Sequence, residues 1–234
     1  MIPLRDDAPR FTTPYVTYFL IALNTLIFLF ELVLAPAARL QFFFQFGVVP
    51  ANLSGLLAGQ PGISVEAAVL PVFTSMFLHG SWLHIIANMW ALWIFGDNIE
   101  DYLGPFRFLL FYLVTGIAAN GVQALFNPDS SVPTIGASGA IAGVMGAYFL
   151  LYPSARVLTL VPFFFVFFTW LPAWVVLGYW FLVQFLSGAA TSISSAGQSS
   201  GGVAFWAHVG GFLAGVTLIK VLPKQPQRYR YPDW

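Results

Sequence analysis

The sequence predicts an all-α membrane protein, a bundle of six transmembrane helices with both termini in the cytoplasm and a short fourth helix that starts inside the membrane. Three observations predict it. The 234 residues are 59% hydrophobic and 8% charged, with a mean hydropathy of +0.80, whereas a soluble domain carries about 25% charged residues. The apolar residues gather in six runs, 17–34, 71–95, 106–126, 138–152, 171–187 and 203–222. Most are near the ~20 residues that cross ~30 Å of hydrocarbon at ~1.5 Å per residue. With the termini inside, eight of the nine Lys and Arg (Arg5, Arg10, Arg107, Arg156, Lys220, Lys224, Arg228 and Arg230) lie on the inner side, and Arg39 alone lies outside. That bias is the positive-inside pattern.

Residues 1–16 read as a cytoplasmic N-terminal segment, 17–222 as one membrane domain and 223–234 as a cytoplasmic tail. The first run is expected to be a retained helix, since no small-residue cleavage site follows it. Segments 35–70, 127–137 and 188–202 are outer loops; the last is rich in Gly and Ser and reads as a linker or a lid. Stretch 157–168 is apolar but fenced by Pro162 and Pro172. It is expected to be an interfacial or kinked lead-in to the fifth span, because Pro breaks a helix ladder, with Phe163, Phe164 and Phe165 facing lipid or the interface. The basic, aromatic tail reads as an inner-leaflet anchor. A chain with no cysteine and zero net charge excludes disulfide, thiol and iron–sulfur chemistry and offers nothing for nucleic acid.

Polar groups inside spans are costly unless paired, so each is a candidate for function. Four stand out: His84, Asn88, Ser138 and His208. Ser138 precedes Pro153 by 15 residues, and His208 precedes Pro223 by 15. Both prolines close outside-to-inside helices, so both side chains sit ~22 Å above the inner boundary, several ångströms below the outer surface. The fourth span therefore starts within the membrane, and the loop before it must be buried in protein or line a wet cavity. His84 lies 12 residues before Gly96 on an inward-running helix, at similar depth.

Small residues imply that the fourth and sixth spans touch. Gly139, Gly143 and Ala147 recur every four residues on one, and Ala204, His208, Gly211 and Gly215 share a face of the other. Such faces allow close backbone approach, and bulk added at Gly143 is expected to push the two spans apart. The approach brings the Ser138 hydroxyl within reach of the His208 imidazole, a nucleophile and its general base. None of the nine carboxylates falls in the spans that hold this pair, so a hydrolase here uses a Ser–His dyad. Donors for an oxyanion come from the Ser138 backbone N–H and from His84 and Asn88, which share a helix face at i, i+4.

These residues resemble the rhomboid intramembrane serine proteases. "GASG" carries that family's GxSG, with Gly136 and Gly139 flanking the nucleophile Ser138. "AHVGGFLAG" matches the histidine motif of the last span, with His208 as base. "HGSWLHIIANMW" matches His-x4-His-x3-Asn, with His84 and Asn88 in the oxyanion role and His79 near the outer end. "GDNIEDYLG" matches GxxxExxxG, where Glu100 is structural. The resemblance covers the six spans in order. It implies cleavage of single-span or polytopic membrane-protein substrates near the outer face of the bilayer, in a prokaryotic plasma membrane. Two departures stand out: Leu70-Pro71 replaces the Trp-Arg pair some members carry, and Ala142 replaces an aromatic that stacks on the histidine in some members.

Three other readings compete with this one. A metal site from His79, His84 and His208 would splay two ligands by ~140° on one helix and lacks HExxH, so neither metal nor cofactor is implied. A transporter would show paired intramembrane charges or repeat symmetry. A non-proteolytic rhomboid-like protein that binds or escorts membrane clients would typically lack the serine or the histidine, and both are present.

Overall fold

The computed structural model describes residues 1–163, 165–194 and 203–225. In chain order the elements are β1 (Ile2–Asp6), α1 (Tyr15–Val33), α2 (Pro36–Phe46), α3 (Pro50–Leu57), α4 (Val65–Thr74), α5 (Trp82–Leu103), α6 (Pro105–Phe126), α7 (Ser138–Leu151), β2 (Arg156–Phe163), β3 (Phe165–Pro172), α8 (Ala173–Ser194) and α9 (Phe205–Leu218). Helix starts follow local chemistry. Pro36, Pro50 and Pro105 occupy first-turn positions, where a missing N–H costs nothing. Ser64 and Ser81 cap α4 and α5 by accepting the N–H groups of Ala67 and His84 at 3.1 and 3.3 Å. Gly104 joins α5 to α6 with φ +81°, a conformation that favours glycine.

α1, α6 and α8 are each long and apolar enough to cross a bilayer, while α7 and α9 have 14 residues apiece. Fourteen residues reach ~21 Å, so α7 is short as expected. The outward sides of α1, α5, α6 and α8 carry large apolar residues, among them Phe19, Leu26, Trp93, Leu110, Leu182 and Leu186. So extensive an apolar exterior suits lipid rather than water.

Three expectations are corrected. Run 71–95 is not one helix: α4 ends at Thr74, a 3-10 turn spans Ser75–Phe77, and the two halves are bent by 76°. Pro71 lies inside α4 and supplies no N–H, and Leu78 and Ser81 are extended. The loop 35–70 is largely helical, as α2, α3 and the start of α4. Finally, the fold is not all-α. Stretch 157–168 is the larger part of a hairpin, β2–β3, and β1 adds to it in the order β1-β2-β3, all antiparallel. Branched and aromatic residues with flanking prolines favour strand over helix. The N-terminal segment is thereby part of the fold. Arg156 donates to Asp7 from its backbone N–H and guanidinium, which holds the Asp7 carboxyl below the usual carboxylate range. Residues 195–202 of the expected Gly/Ser-rich loop and 226–234 of the tail lie outside the described residues, and 188–194 continue α8.

The two ends of the bundle are tied differently. At the sheet end, buried Glu100 accepts from the N–H groups of Val16 and Thr17 at 2.9 and 2.7 Å and from the Thr17 hydroxyl at 2.8 Å. It satisfies orphan donors at the start of α1, where negative charge is favoured. Tyr148, near the end of α7, donates to the Asp6 carboxylate, and the Gln225 N–H reaches Tyr102 O at 2.8 Å. Ser138 and His208 lie at the other end.

Packing against α7 decides the geometry there. A Cβ on Gly211 would land on the carbonyl oxygen of Gly139, and one on Gly215 on that of Gly143. The offset is 72 residues in both pairs, so α7 and α9 run parallel in fixed register. The opposite flank of α7 meets α6: a Cβ on Gly143 would meet Thr115 Oγ1 at 2.5 Å, and one on Gly139 would meet Ala119 Cβ at 2.6 Å. Bulk at Gly143 therefore collides first with α6, not with α9 as the spacing alone suggests; the α7–α9 seam depends on Gly211 and Gly215 of α9 and on Gly146 of α7, where a Cβ would land on the carbonyl oxygen of Phe212. Gly215→Ala is expected to lower stability by about 1–3 kcal/mol, because backbone cannot be repacked around a methyl group. Gly121→Ala, on an exposed face of α6 with nothing within 4 Å, is expected to gain up to ~1 kcal/mol from helix propensity. Thermal unfolding of both in detergent checks this; equal effects would show that the seam is loose.

Candidate active site

Ser138 is the first residue of α7, so its N–H and those of the following turn have no intrahelical partner. The loop leading to it is held by backbone. Val48 and Thr134 exchange hydrogen bonds at 3.0 and 2.7 Å, and Gly136 N–H donates to Ser75 O at 2.9 Å. Ser75 is itself fixed by Asn120, whose amide donates to Ser75 Oγ at 3.0 Å and to Val72 O at 2.9 Å. Irregular backbone packed among apolar helices needs such partners.

Gly136 has φ +127°, and a Cβ there would meet His84 Nε2 at 2.6 Å and Ser138 Oγ at 3.6 Å. Only glycine fits between the imidazole and the hydroxyl. The seam sets the height of His208. Continued to the first residue of α7, the 72-residue offset pairs Ser138 with Gly210, so His208 lies two residues before that level on α9. Helix α9 is fixed there by Gln123, which accepts the Ala207 N–H at 3.1 Å. His208 is 8% exposed. Its Nδ1 faces Gln184 Oε1 at 2.7 Å, and the Trp180 ring lies 5.5 Å away, tilted by 37°. Among the described residues, no hydrogen bond joins Ser138 Oγ to His208. Hydrogen bonds of a catalytic pair are often long without substrate and tighten when it binds.

Asn88 is buried and hydrogen-bonds His79 Nε2 at 3.0 Å. His79 is fully buried; its N–H points at both carboxylate oxygens of Glu31, at 3.2 and 3.3 Å, and its ring lies 5.0 Å from that of His84. Arg39 donates to the carbonyls of His79 and Gly80 at 3.3 and 3.2 Å. Asn88 thus keeps one amide hydrogen for another acceptor. Glu100 lies at the far end of α5, away from these groups.

Sequence reasoning missed Glu31, Asn120 and Gln184. The signal existed, since each is a polar residue inside an apolar run, the criterion that selected Asn88. Among the described residues, no group of three His, Cys, Asp or Glu could hold a metal ion.

Comparison with known proteins places the sequence in a family. The Rhomboid domain model matches residues 66–225. The chain is 31% identical over 65% of its length to Rhomboid-like protein 11, chloroplastic, of Arabidopsis thaliana, covering 52% of that protein. It is 32% identical over 68% of its length to Rhomboid protein 1, mitochondrial, of Saccharomyces cerevisiae, covering 44%. It is 34% identical over 59% of its length to Rhomboid protease GluP of Bacillus subtilis, covering 24%. The chain thus spans about half, or less, of the length of these relatives. Two of the three are organellar, which speaks against the expected prokaryotic plasma membrane; a multi-pass integral membrane protein is what family and helices support. With one family model matching well over half its length, the chain belongs to the rhomboid family.

Proposed function

We propose that the chain is an intramembrane serine endopeptidase that hydrolyses peptide bonds in or near the transmembrane segments of membrane proteins. The observation that supports the reading is the α7–α9 register, in which Gly210, two residues after His208, pairs with Ser138. The topology we propose has six spans with both termini inside, and the site opens toward the outer face.

The chemistry follows from the residues. His208 takes the proton of Ser138 as Oγ attacks the scissile carbonyl carbon. The carbonyl oxygen becomes an oxyanion, which accepts hydrogen bonds from the free N–H groups at the start of α7 and from His84 and Asn88. His208 then delivers its proton to the leaving amine as the C–N bond breaks. Water, deprotonated by His208, attacks the acyl ester in the same way and regenerates Ser138. The absent Ser138–His208 hydrogen bond favours a second reading, a non-proteolytic member that holds membrane clients.

A panel of single-span reporter substrates in detergent or liposomes decides between them. Cleavage by the parent that disappears in Ser138→Ala supports the protease; client binding without cleavage by either supports the other. Asn88→Ala sharpens the result. Loss of an oxyanion donor lowers kcat and kcat/KM together, by on the order of 10²-fold at most, with little change in substrate affinity. It also leaves His79 Nε2 without its partner, so some stability is lost in either case. Turnover per folded molecule is therefore the deciding quantity, and an unchanged value removes Asn88 from the oxyanion site.

A further inference from the structure

We infer that Gln184 of α8 is a positioning residue for His208: it accepts the imidazole Nδ1–H and so presents Nε2, unprotonated, as the base. The inference rests on the protease reading and adds to the dyad a third member that the family motifs quoted above do not contain.

The geometry is specific. Gln184 Oε1 lies 2.7 Å from His208 Nδ1. An amide oxygen only accepts, so with Gln184 in this orientation Nδ1 carries the hydrogen. A neutral imidazole has one N–H, which leaves Nε2 with its lone pair for the serine proton. Trp180 lies one turn before Gln184 on the same face of α8, with its ring 5.5 Å from the imidazole. One face of α8 thus supplies both a ring neighbour and a hydrogen-bond acceptor. That resolves what Ala142 leaves open: this fully buried position on α7 has no aromatic to offer, and the contact comes from another helix.

The choice of an amide also has a reason. A carboxylate would hold the same tautomer and strengthen the base, but an extra buried charge inside a bilayer is costly. Gln supplies direction without that charge. His84 of α5, whose ring borders Gly136, is the titratable group on the neighbouring helix.

The test uses the full chain in detergent with 15N-labelled histidine, where the His208 signals are identified by their loss in His208→Gln. The parent is expected to show the Nδ1–H tautomer at His208, and Gln184→Leu a mixture of both. On a reporter substrate, Gln184→Leu should lower kcat about 10-fold or more with KM nearly unchanged. Gln184→Glu should recover much of the rate and move the acid limb of the pH profile to higher pH, since a carboxylate stabilises the imidazolium. An Nε2–H tautomer in the parent overturns the inference. So does a Gln184→Leu protein with the parent's tautomer and kcat. If no cleavage depends on Ser138, the protease reading fails, while the tautomer still decides whether Gln184 orients His208.

Discussion

Everything at the candidate site depends on the contact between the α7 and α9 backbones. In lipid there is no hydrophobic force to draw helices together, so association relies on close packing and hydrogen bonds. Here α9 presents hydrogen where other residues carry a Cβ, at Gly211 and Gly215, and the carbonyls of Gly139 and Gly143 occupy that space. From the other flank Thr115 and Ala119 of α6 press on the same glycines of α7. Every residue of α7 from Gly139 to Tyr148 is buried. A helix so enclosed need not match the bilayer in length, and α7 has 14 residues.

Enclosure moves the cost to the loop before α7, whose backbone needs partners. They come from elements the apolar runs do not announce. The break after α4 exposes Ser75 O to Gly136, and the segment before α3 offers Val48 to Thr134. Asn120 locks the break to α6. The kink in the second span is therefore part of the site. At the opposite end Glu100, Asp6 with Tyr148, and the three-stranded sheet fix the ends of α1, α5 and α7. The frame is anchored away from Ser138 and His208, and its polar groups converge near them.

The hydropathy of the chain made the helices around the site legible, because length and apolar content are local properties. The shortness of α7 followed from counting residues between Ser138 and Pro153. What the sequence obscured was direction. Gly143 recurs at the right spacing for a helix contact, yet spacing does not say which neighbour it meets, and it meets Thr115. The stretch 157–168 is apolar apart from Thr159, so periodicity could not separate strand from helix; its branched and aromatic residues were the usable sign. Gln184 and Glu31 were open to the polar-in-apolar criterion, but their partners, His208 and the N–H of His79, are set by tertiary packing.

The central claim is that the seam makes a working nucleophile and base from Ser138 and His208. Covalent labelling by a fluorophosphonate, followed by intact mass, tests it most directly, since it requires activation of the serine and no knowledge of the substrate. The account predicts a single adduct on Ser138, formed slowly compared with soluble serine hydrolases because no carboxylate supports the base, and lost in His208→Ala. A His208→Ala protein that labels as fast as the parent would contradict it.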